Sequence, residues 1–234
     1  MINIDSQNML QLKKEKLYIK EGAAHMKTTV LLIRHGETEW NILGKFQGTT
    51  DIPLSDEGIR QAKLLRDRIK GDFDYIYASP LKRAHKTAEV VCEDTGKTVE
   101  TVQDLREINF GSWEGLTPKN IAEMYPDVFK EWKTDKKEGK FCDGDMSTLN
   151  ASIRAKNCIL DIVKKHPGKK IAIVAHGGII KAGFIGLFEW DMSMYHKIAL
   201  GNTCVNTITF NESLKPVIAG LNDVSHLDCQ VTHV

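Results

Sequence analysis

The chain alternates between short apolar runs and longer stretches in which apolar residues recur at helical spacing. The runs at 28–33 and 171–175 are rich in apolar and β-branched residues, which is typical of parallel strands buried on both faces. Ser55 is a favourable N-cap and Gly71 a stop signal, so together they predict a helix over about 56–70. The same reasoning predicts further helices over about 81–95, 148–166 and 179–188, and further strands at 73–78, 98–102, 203–210 and 216–221.

Strands that alternate with helices in this way predict an α/β fold, in which helices cover both faces of a mostly parallel sheet. We therefore expect a three-layer α/β/α sandwich. The stretch 111–147 interrupts the alternation with short helices near 118–133 and a charged run at 133–140, and we predict that it forms a small cap insertion. Neither an internal repeat nor a low-complexity linker divides the chain, so residues 27–234 are predicted to be one domain.

The first 26 residues differ from the rest of the chain. They are rich in Lys, Glu, Gln and Asn, and they end in Gly22-Ala23-Ala24-His25-Met26 just before the first predicted strand. This junction resembles an expression-vector scar with Met26 as the natural start, so we predict that 1–26 is an expression tag or a disordered leader. A native helical extension is the alternative interpretation.

The overall charge excludes some classes of partner. Lys and Arg total 32 and Asp and Glu total 31, so the formal net charge is +1, which argues against general binding of nucleic acid or of an anionic membrane. The five cysteines are scattered and form no Cys-x-x-Cys pair, so neither a disulfide framework nor a thiolate zinc site is indicated. No apolar run reaches about 18 residues, the length of a membrane span. We therefore expect a cytoplasmic protein.

Two histidines follow the two most apolar strands. His35 stands between Arg34 and Gly36 after the first strand, and His176 precedes two glycines after the second. The carboxyl ends of parallel strands are where open α/β sheets bind their ligands. A guanidinium fits a phosphate, an imidazole nitrogen can attack phosphorus, and a helix start preceded by glycines favours an anion. A single such histidine is compatible with a structural role, but two of them at one edge of a sheet are hard to explain by packing.

Arg83 supplies a third indication. It lies in the first turn of the helix that follows Ser79-Pro80. A cation at that position opposes the helix dipole, at a cost of about 0.3–1 kcal/mol when exposed. A solvent-facing arginine can tolerate this cost, whereas an anion bound between the helix start and Arg83 reverses it.

Six motifs in order along the chain resemble those of the histidine phosphatase superfamily, in its phosphoglycerate mutase-like branch. The first three are Arg34-His35-Gly36-Glu37-Thr38 with Trp40-Asn41, Gln47-Gly48-x-x-Asp51-Ile52-Pro53-Leu54-Ser55-x-x-Gly58, and Ser79-Pro80-Leu81-Lys82-Arg83-Ala84. The others are Leu105-Arg106-Glu107-Ile108-x-Phe110-Gly111-x-Trp113-Glu114-Gly115, His176-Gly177-Gly178, and Leu221-Asn222-Asp223-x-Ser225-His226. Each motif is moderately specific, and the ordered set, spanning about 28–227, is very specific.

The resemblance implies a role for each matching residue. His35 is the nucleophile that forms a phosphohistidine, and Glu107 is the general acid that protonates the leaving oxygen. The phosphoryl group is held by five further residues, namely Arg34, Asn41, Arg83, His176 and Gly177. Substrate contacts are expected from Gln47, Gly48 and Trp113. Without the resemblance, Glu107 would be interpreted as a surface carboxylate paired with Arg106.

The resemblance also implies that no metal or other cofactor is needed, because positioned cations stabilise the transferring phosphoryl group. Asp143-Gly144-Asp145 suggests a cation site at first sight, but two acids in a polar loop are more typical of a turn. The family usually carries a Gly-Glu-Ser-type segment there, and this chain has Gly144-Asp145-Met146-Ser147 instead.

Three functions are compatible with the motifs: a metal-independent phosphomonoesterase, a cofactor-dependent phosphoglycerate mutase, and a non-catalytic phospholigand-binding module. Every chemical position is filled, which disfavours the binding module. Glu107 and His176 are only 69 positions apart, whereas the mutases carry a longer insertion that shields the phosphoenzyme from water. The 111–115 segment and the Asn222–His226 ending also resemble the α-ribazole phosphatase and broad-specificity phosphatase subgroups. We therefore predict a phosphatase.

The substrate is predicted to be a small phosphorylated metabolite such as α-ribazole phosphate, with inorganic phosphate as a product. Sugar phosphates, phosphoglycerates and phosphorylated proteins remain alternatives. Trp113, Phe129 and Trp132 are candidate walls of the leaving-group site or else core residues of the cap. A basic run that includes Lys133, Lys136 and Lys137 either attracts an acidic substrate or is a solvated loop. Edge strands near the C-terminus suggest a homodimer.

Overall fold

The computed structural model describes residues 27–141 and 143–227. The predicted tag or leader at 1–26 lies outside the described residues. A six-stranded sheet forms the centre, in the order β3-β2-β4-β1-β5-β6. Its strands are β1 (Thr28–Arg34), β2 (Tyr75–Ala78), β3 (Val99–Thr101), β4 (Lys170–Ala175), β5 (Val205–Phe210) and β6 (Pro216–Asp223). Strands β1 to β4 run parallel and β5 and β6 form an antiparallel edge, which confirms the predicted α/β class with a mostly parallel sheet.

The predicted helices are all present, with shifted ends. The α-helices are α1 (Glu39–Ile42), α2 (Asp56–Ile69), α3 (Lys82–Cys92), α4 (Pro118–Met124), α5 (Pro126–Thr134), α6 (Thr148–Lys165) and α7 (Gly177–Phe188). Short 3-10 helices cover Gln103–Leu105, Gly111–Trp113 and Met192–Lys197. Helix α3 ends three residues before the predicted boundary, because Asp94 adopts a positive φ of 61° that breaks the helix. Helix α1 is too short for a periodicity signal and depends on a capping box between Thr38 and Asn41.

Alternate residues of the central strands point to opposite faces of the sheet. Val30 and Leu32 belong to a core shared with α6, α7 and the aromatic residues of the 111–147 stretch. Leu31 and Ile33 belong to a second core, shared with α2 and α3. Because successive strand residues face opposite ways, one strand completes both cores. The result is the predicted three-layer sandwich.

The pairing of β1 with β4 sets the position of both histidines. The two strands run parallel with Arg34 opposite Ala175, so the next residues, His35 and His176, leave the sheet at the same edge. The His35 backbone N–H donates a hydrogen bond to the Ala175 carbonyl at 2.9 Å. Strand register therefore brings together two side chains that are far apart in sequence.

The stretch 111–147 packs over this edge through aromatic rings. Neighbouring rings form a cluster with centroids about 5–6.5 Å apart. Its members are Phe110, just before the stretch, and Trp113, Phe129, Trp132 and Phe141 within it. The division into a leader and one domain with a cap over about 111–147 stays a prediction, as does the homodimer. Among the described residues, none of the helices combines the length and apolar character that crossing a bilayer requires.

Candidate active site

His35 lies at the carboxyl end of β1 and is 3% exposed. Its Nδ1 is 2.6 Å from the Gly36 carbonyl oxygen, and because a carbonyl can only accept, Nδ1 must carry the proton. In the neutral ring, Nε2 is then unprotonated. Burial, followed by the charges of Arg83 and Arg34, holds the pKa of His35 well below its ordinary value. The nitrogen that can attack phosphorus is therefore unprotonated at neutral pH.

Gly36 allows the loop after β1 to approach its neighbours closely. The Cβ of any larger residue there would collide with the backbone of Gly58, which lies in the first turn of α2. The Gly36 N–H also donates to Thr87 Oγ1 at 3.0 Å. Gly36 therefore allows the loop that carries His35 to pack directly on a neighbouring helix.

Arg34 and Arg83 are held in place by backbone carbonyls. Arg83 is fully buried, and it donates to Gly48 O at 2.7 Å and Thr50 O at 2.8 Å, while Arg34 donates to Leu200 O. Burial lowers the pKa of both guanidinium groups. Within the described residues the Nε atoms of both arginines have no hydrogen-bond partner. These donors are therefore available to an anion.

Glu114 fixes the loop that holds Arg83. Its carboxylate accepts the N–H groups of Thr49 at 2.8 Å and Thr50 at 3.0 Å, together with their hydroxyl groups. Gly48 has a φ of +51° and lies so close to Glu114 that a side chain would collide with the carboxylate. The motif residues Gly48 and Glu114 thus act on the predicted phosphate site through Arg83.

His176 is fully buried beside His35, with ring centroids 5.2 Å apart. Its Nε2 lies 2.7 Å from Ser79 Oγ, and its Nδ1 has no hydrogen-bond partner in the described part of the chain. Burial, followed by the charge of Arg83, holds the pKa of His176 well below its ordinary value. Two neutral imidazoles and two guanidiniums therefore meet at this edge of the sheet, as the sequence predicted.

Glu107 binds the start of α7. Its carboxylate accepts the N–H groups of Gly178 at 2.9 Å and Ile179 at 2.7 Å, and also that of Ile108 at 2.8 Å. The first backbone N–H groups of α7 therefore already have an acceptor, which is the carboxyl group of Glu107. Gly178 must be glycine, because a Cβ there would lie 2.6 Å from Glu107 Oε1. Gly177 lies against the Arg34 guanidinium.

These residues line a cavity of about 440 Å³, a size suited to a small metabolite. Its walls include Arg34, His35, Asn41, Gln47, Gly48, Arg83, Glu107 and Gly177. His176 lies behind His35 and is not part of the lining. Asn41 uses its amide oxygen to accept from Thr38 and Asn202, and the buried Gln47 Oε1 has no partner within the described residues.

Trp113 does not match its predicted contact with substrate. It is fully buried, and Phe110, Phe129 and Trp132 line the cavity instead. The Trp113 ring is 5.8 Å from Phe129 and 5.3 Å from Trp132, measured between centroids, so it supports those walls from behind. Of the three rings that the sequence offered as walls or cap core, Phe129 and Trp132 line the cavity and Trp113 does not.

The cavity has four polar lining residues that the predicted site did not contain: Lys45, Lys181, Tyr195 and His196. Lys181 had a sequence signal, since it is the only charged residue in the apolar helix Gly177–Phe188. Tyr195 and His196 had none, because they lie on a 3-10 helix without amphipathic periodicity. Burial raises the pKa of Tyr195 well above its ordinary value, so its hydroxyl is neutral.

The acids at 143–145 are engaged with protein groups. Asp143 accepts from the Ser112 N–H and hydroxyl at 2.9 and 3.0 Å. Asp145 pairs with Arg154 at 2.8 Å and accepts the Asn109 N–H at 3.1 Å. Across residues 27–141 and 143–227, no group of His, Cys, Asp and Glu side chains is arranged to hold a metal ion.

The profile of the histidine phosphatase superfamily (branch 1) matches residues 30–224, and the chain belongs to this family. It is 32% identical over 201 residues to "Phosphoserine phosphatase 1" of Hydrogenobacter thermophilus, covering 85% of this chain and 93% of that protein. It is 31% identical over 203 residues to a metal-independent phosphoserine phosphatase of Arabidopsis thaliana, covering 86% and 83% of the two chains.

Two solved structures of Entamoeba histolytica phosphoserine phosphatase have the same fold. A mutant in complex with phosphoserine has a TM-score of 0.81 and 40% identity, and the complex with 3-phosphoglyceric acid has 0.81 and 41%. Both matches cover 86% of this chain and 100% of the other. The chain is therefore an enzyme of the phosphatase type, as the motifs predicted.

Proposed function

We propose that the protein hydrolyses small phosphomonoesters through a phosphohistidine at Nε2 of His35. The observation that carries this proposal is the hydrogen bond from His35 Nδ1 to the Gly36 carbonyl, which leaves Nε2 as the unprotonated nitrogen. Arg34 and Arg83 line the same cavity, with buried N–H donors that no protein group in the described residues accepts. These groups suit the three equatorial oxygens of a transferring phosphoryl group.

In the first step, His35 Nε2 forms a bond to phosphorus while the bond from phosphorus to the ester oxygen breaks. Glu107 gives its proton to the departing oxygen, so the alcohol leaves neutral. The monoanionic form of the ester brings that proton into the cavity. In the second step, Glu107 takes a proton from water as the water oxygen bonds to phosphorus and the bond from phosphorus to His35 Nε2 breaks. Inorganic phosphate then leaves together with the proton held by Glu107. His35 returns to its starting form.

The substrate is proposed to be a small acidic phosphomonoester, with phosphoserine and 3-phosphoglycerate as the first candidates. The named relatives and solved complexes involve these two compounds. The cavity supports an acidic substrate, since five of its lining side chains are Lys or Arg and one is a carboxylate. The earlier expectation of α-ribazole phosphate has no comparable support, and that ester serves as a competitor in the test.

A panel of phosphomonoesters assayed without added metal, with and without 2,3-bisphosphoglycerate, tests the reaction. We expect release of inorganic phosphate that does not depend on the bisphosphate. Rapid isomerisation of 3-phosphoglycerate that requires the bisphosphate would identify a mutase instead.

The nucleophile is identified by incubating the protein with a labelled phosphate ester and locating the acid-labile label in the chain. Phosphate from a labelled ester should be trapped on His35, and His35→Ala should abolish the label and lower kcat by several orders of magnitude without changing the unfolding transition. Label on another residue would contradict the proposed mechanism.

A further inference from the structure

Lys181 is a half-buried cation that the proposed mechanism does not use. It lies on α7, lines the same cavity as His35, and forms no salt bridge within the described residues, although the charge of Glu107 acts on it. Its closest aromatic neighbour is Tyr195, whose ring centroid is 5.4 Å from Nζ. An ammonium group withdrawn from water without an anionic partner is unfavourable. An anion bound in the cavity would relieve that cost.

Given the proposed phosphatase function, on which this inference rests, we propose that Lys181 binds a carboxylate on the leaving group and so determines substrate specificity. The proposed ligand class is a phosphomonoester in which a carboxylate stands on the carbon next to the one that bears the phosphoryl oxygen. Phosphoserine and 3-phosphoglycerate both belong to this class.

The position of Lys181 along α7 supports this assignment. Gly178, in the first turn, binds Glu107, which marks the place of the leaving oxygen. Lys181 comes three residues later, about 4.5 Å further along the helix axis and on the same face. Helical side chains lean toward the N-terminus, so the Lys181 stem is directed back toward the phosphoryl site. In the proposed substrates the carboxylate carbon is three bonds from the ester oxygen, a matching separation.

The electrostatic surroundings of Lys181 agree with this geometry. Burial lowers its pKa to about 8, with Arg34 adding to the effect and Glu107 and Cys204 opposing it. His196, on the neighbouring 3-10 helix, also interacts with its charge. At neutral pH the amine is still protonated, and a bound carboxylate would strengthen that state.

The other two cavity lysines are weaker candidates. Lys133 is exposed on the cap, with its Nζ over the Phe129 ring at 4.7 Å from the centroid. Lys45 lies on the loop after α1 rather than on the helix that binds Glu107, and its Nζ is over the Trp40 ring at 5.7 Å from the centroid. Because solvent screens an exposed cation, Lys133 is expected to attract acidic substrates without distinguishing where the acid is placed.

Two pairs of substrates isolate the carboxylate. Phosphoserine differs from phosphoethanolamine by that group alone, and 3-phosphoglycerate differs from glycerol 3-phosphate by carboxylate in place of hydroxymethyl. We expect Lys181→Met to lower the ratio of kcat/KM between the acidic and non-acidic members of each pair by about 10-fold or more, the loss typical of a hydrogen bond between charged groups. Lys181→Arg should retain most of the ratio.

Lys133→Met is the matched control, since it removes the same charge from the same cavity. It should change both members of a pair by a similar factor. The inference is overturned if Lys181→Met slows both members equally, or if Lys133→Met reduces the ratio as much as Lys181→Met does.

A different result is expected if the proposed phosphatase function itself is wrong. If the unmodified protein hydrolyses none of the four esters and forms no phosphohistidine from p-nitrophenyl phosphate, then the proposed function is wrong and the inference falls with it. If phosphohistidine forms on His35 but the ratios do not depend on Lys181, only the specificity inference is wrong.

Discussion

The two ends of the cavity are built differently. At the sheet edge, Arg34 and Arg83 donate to backbone carbonyls of other segments, and His35 donates to the carbonyl of the next residue, Gly36. Elsewhere the walls include aromatic rings, and Lys133, in the stretch 111–147, and Lys181, on α7, reach the cavity on long side chains that lie over such rings. Backbone contacts fix the geometry of the first set, whereas the second set can adjust by changing rotamers.

This difference separates the reaction from the choice of substrate. Every phosphomonoester presents the same phosphoryl group, so the sheet-edge groups can be preorganised for it. The leaving group varies among substrates, and in the proposed mechanism it meets the aromatic wall and Lys181. We therefore expect substitutions at the sheet edge to reduce turnover of all substrates, and those at the cap to change the relative rates.

The sharpest test of this division is Glu107→Gln, because Glu107 binds the helix start and is the proposed acid for the leaving oxygen. An amide cannot donate the required proton, so kcat for alkyl esters such as phosphoserine should fall by about 10²–10⁴-fold. Aryl phosphates leave without protonation and should be slowed far less. Equal slowing of both classes would deny Glu107 the role of the acid. Glu107 also accepts hydrogen bonds from Gly178 and Ile179, so a thermal unfolding curve of the variant is the control that separates loss of stability from loss of the acid.

A smaller effect is expected from Arg154→Met, which acts through Glu107. Arg154 donates to the carbonyls of Arg106 at 2.8 Å and Glu107 at 3.3 Å, and it pairs with Asp145. Without these bonds the acid should be misplaced, so kcat for alkyl esters should fall by about 10-fold to 100-fold, with little change for aryl phosphates. Arg106→Met is the matched control, because the Arg106 side chain pairs with Asp145 at 3.6 Å and, within the described residues, donates no hydrogen bond to the loop backbone. Similar losses in both variants would exclude a positioning role.

The smallest effect concerns stability and pH. The folded protein holds the pKa of His35 and His176 well below their ordinary value of about 6.5, so the unfolded chain binds more protons below that pH. Stability should therefore be fully present above pH 6.5 and decrease as the pH falls below it. Replacing His35 by Gln should flatten this slope by up to about 1.4 kcal/mol per pH unit, measured by urea unfolding between pH 5 and 6.5. Equal slopes in both proteins would contradict the buried neutral state, and measurements above pH 7.5 provide the baseline.

Local sequence patterns were sufficient for the reaction class. The two apolar strands and the residues that follow them predicted the edge at which His35 and His176 meet, because parallel strands end on the same side of a sheet. The ordered motifs predicted the family, and residues 30–224 match it. The same patterns did not show why position 36 is glycine, which the close approach of Gly58 requires. A motif specifies a residue type, and the packing that requires it is visible only in three dimensions.

Which side chains face the ligand was decided by tertiary structure. Trp113 and Phe129 are both aromatic residues of one cap, yet only Phe129 lines the cavity, because the choice depends on how the rings pack against one another. Lys181 was conspicuous in an apolar helix, but its proximity to Tyr195 results from the docking of two segments. Hydrophobic periodicity and chain direction are local properties that a sequence encodes directly. Side-chain orientation within a cavity is set by long-range packing, so the sequence determined the chemistry and the fold determined what surrounds it.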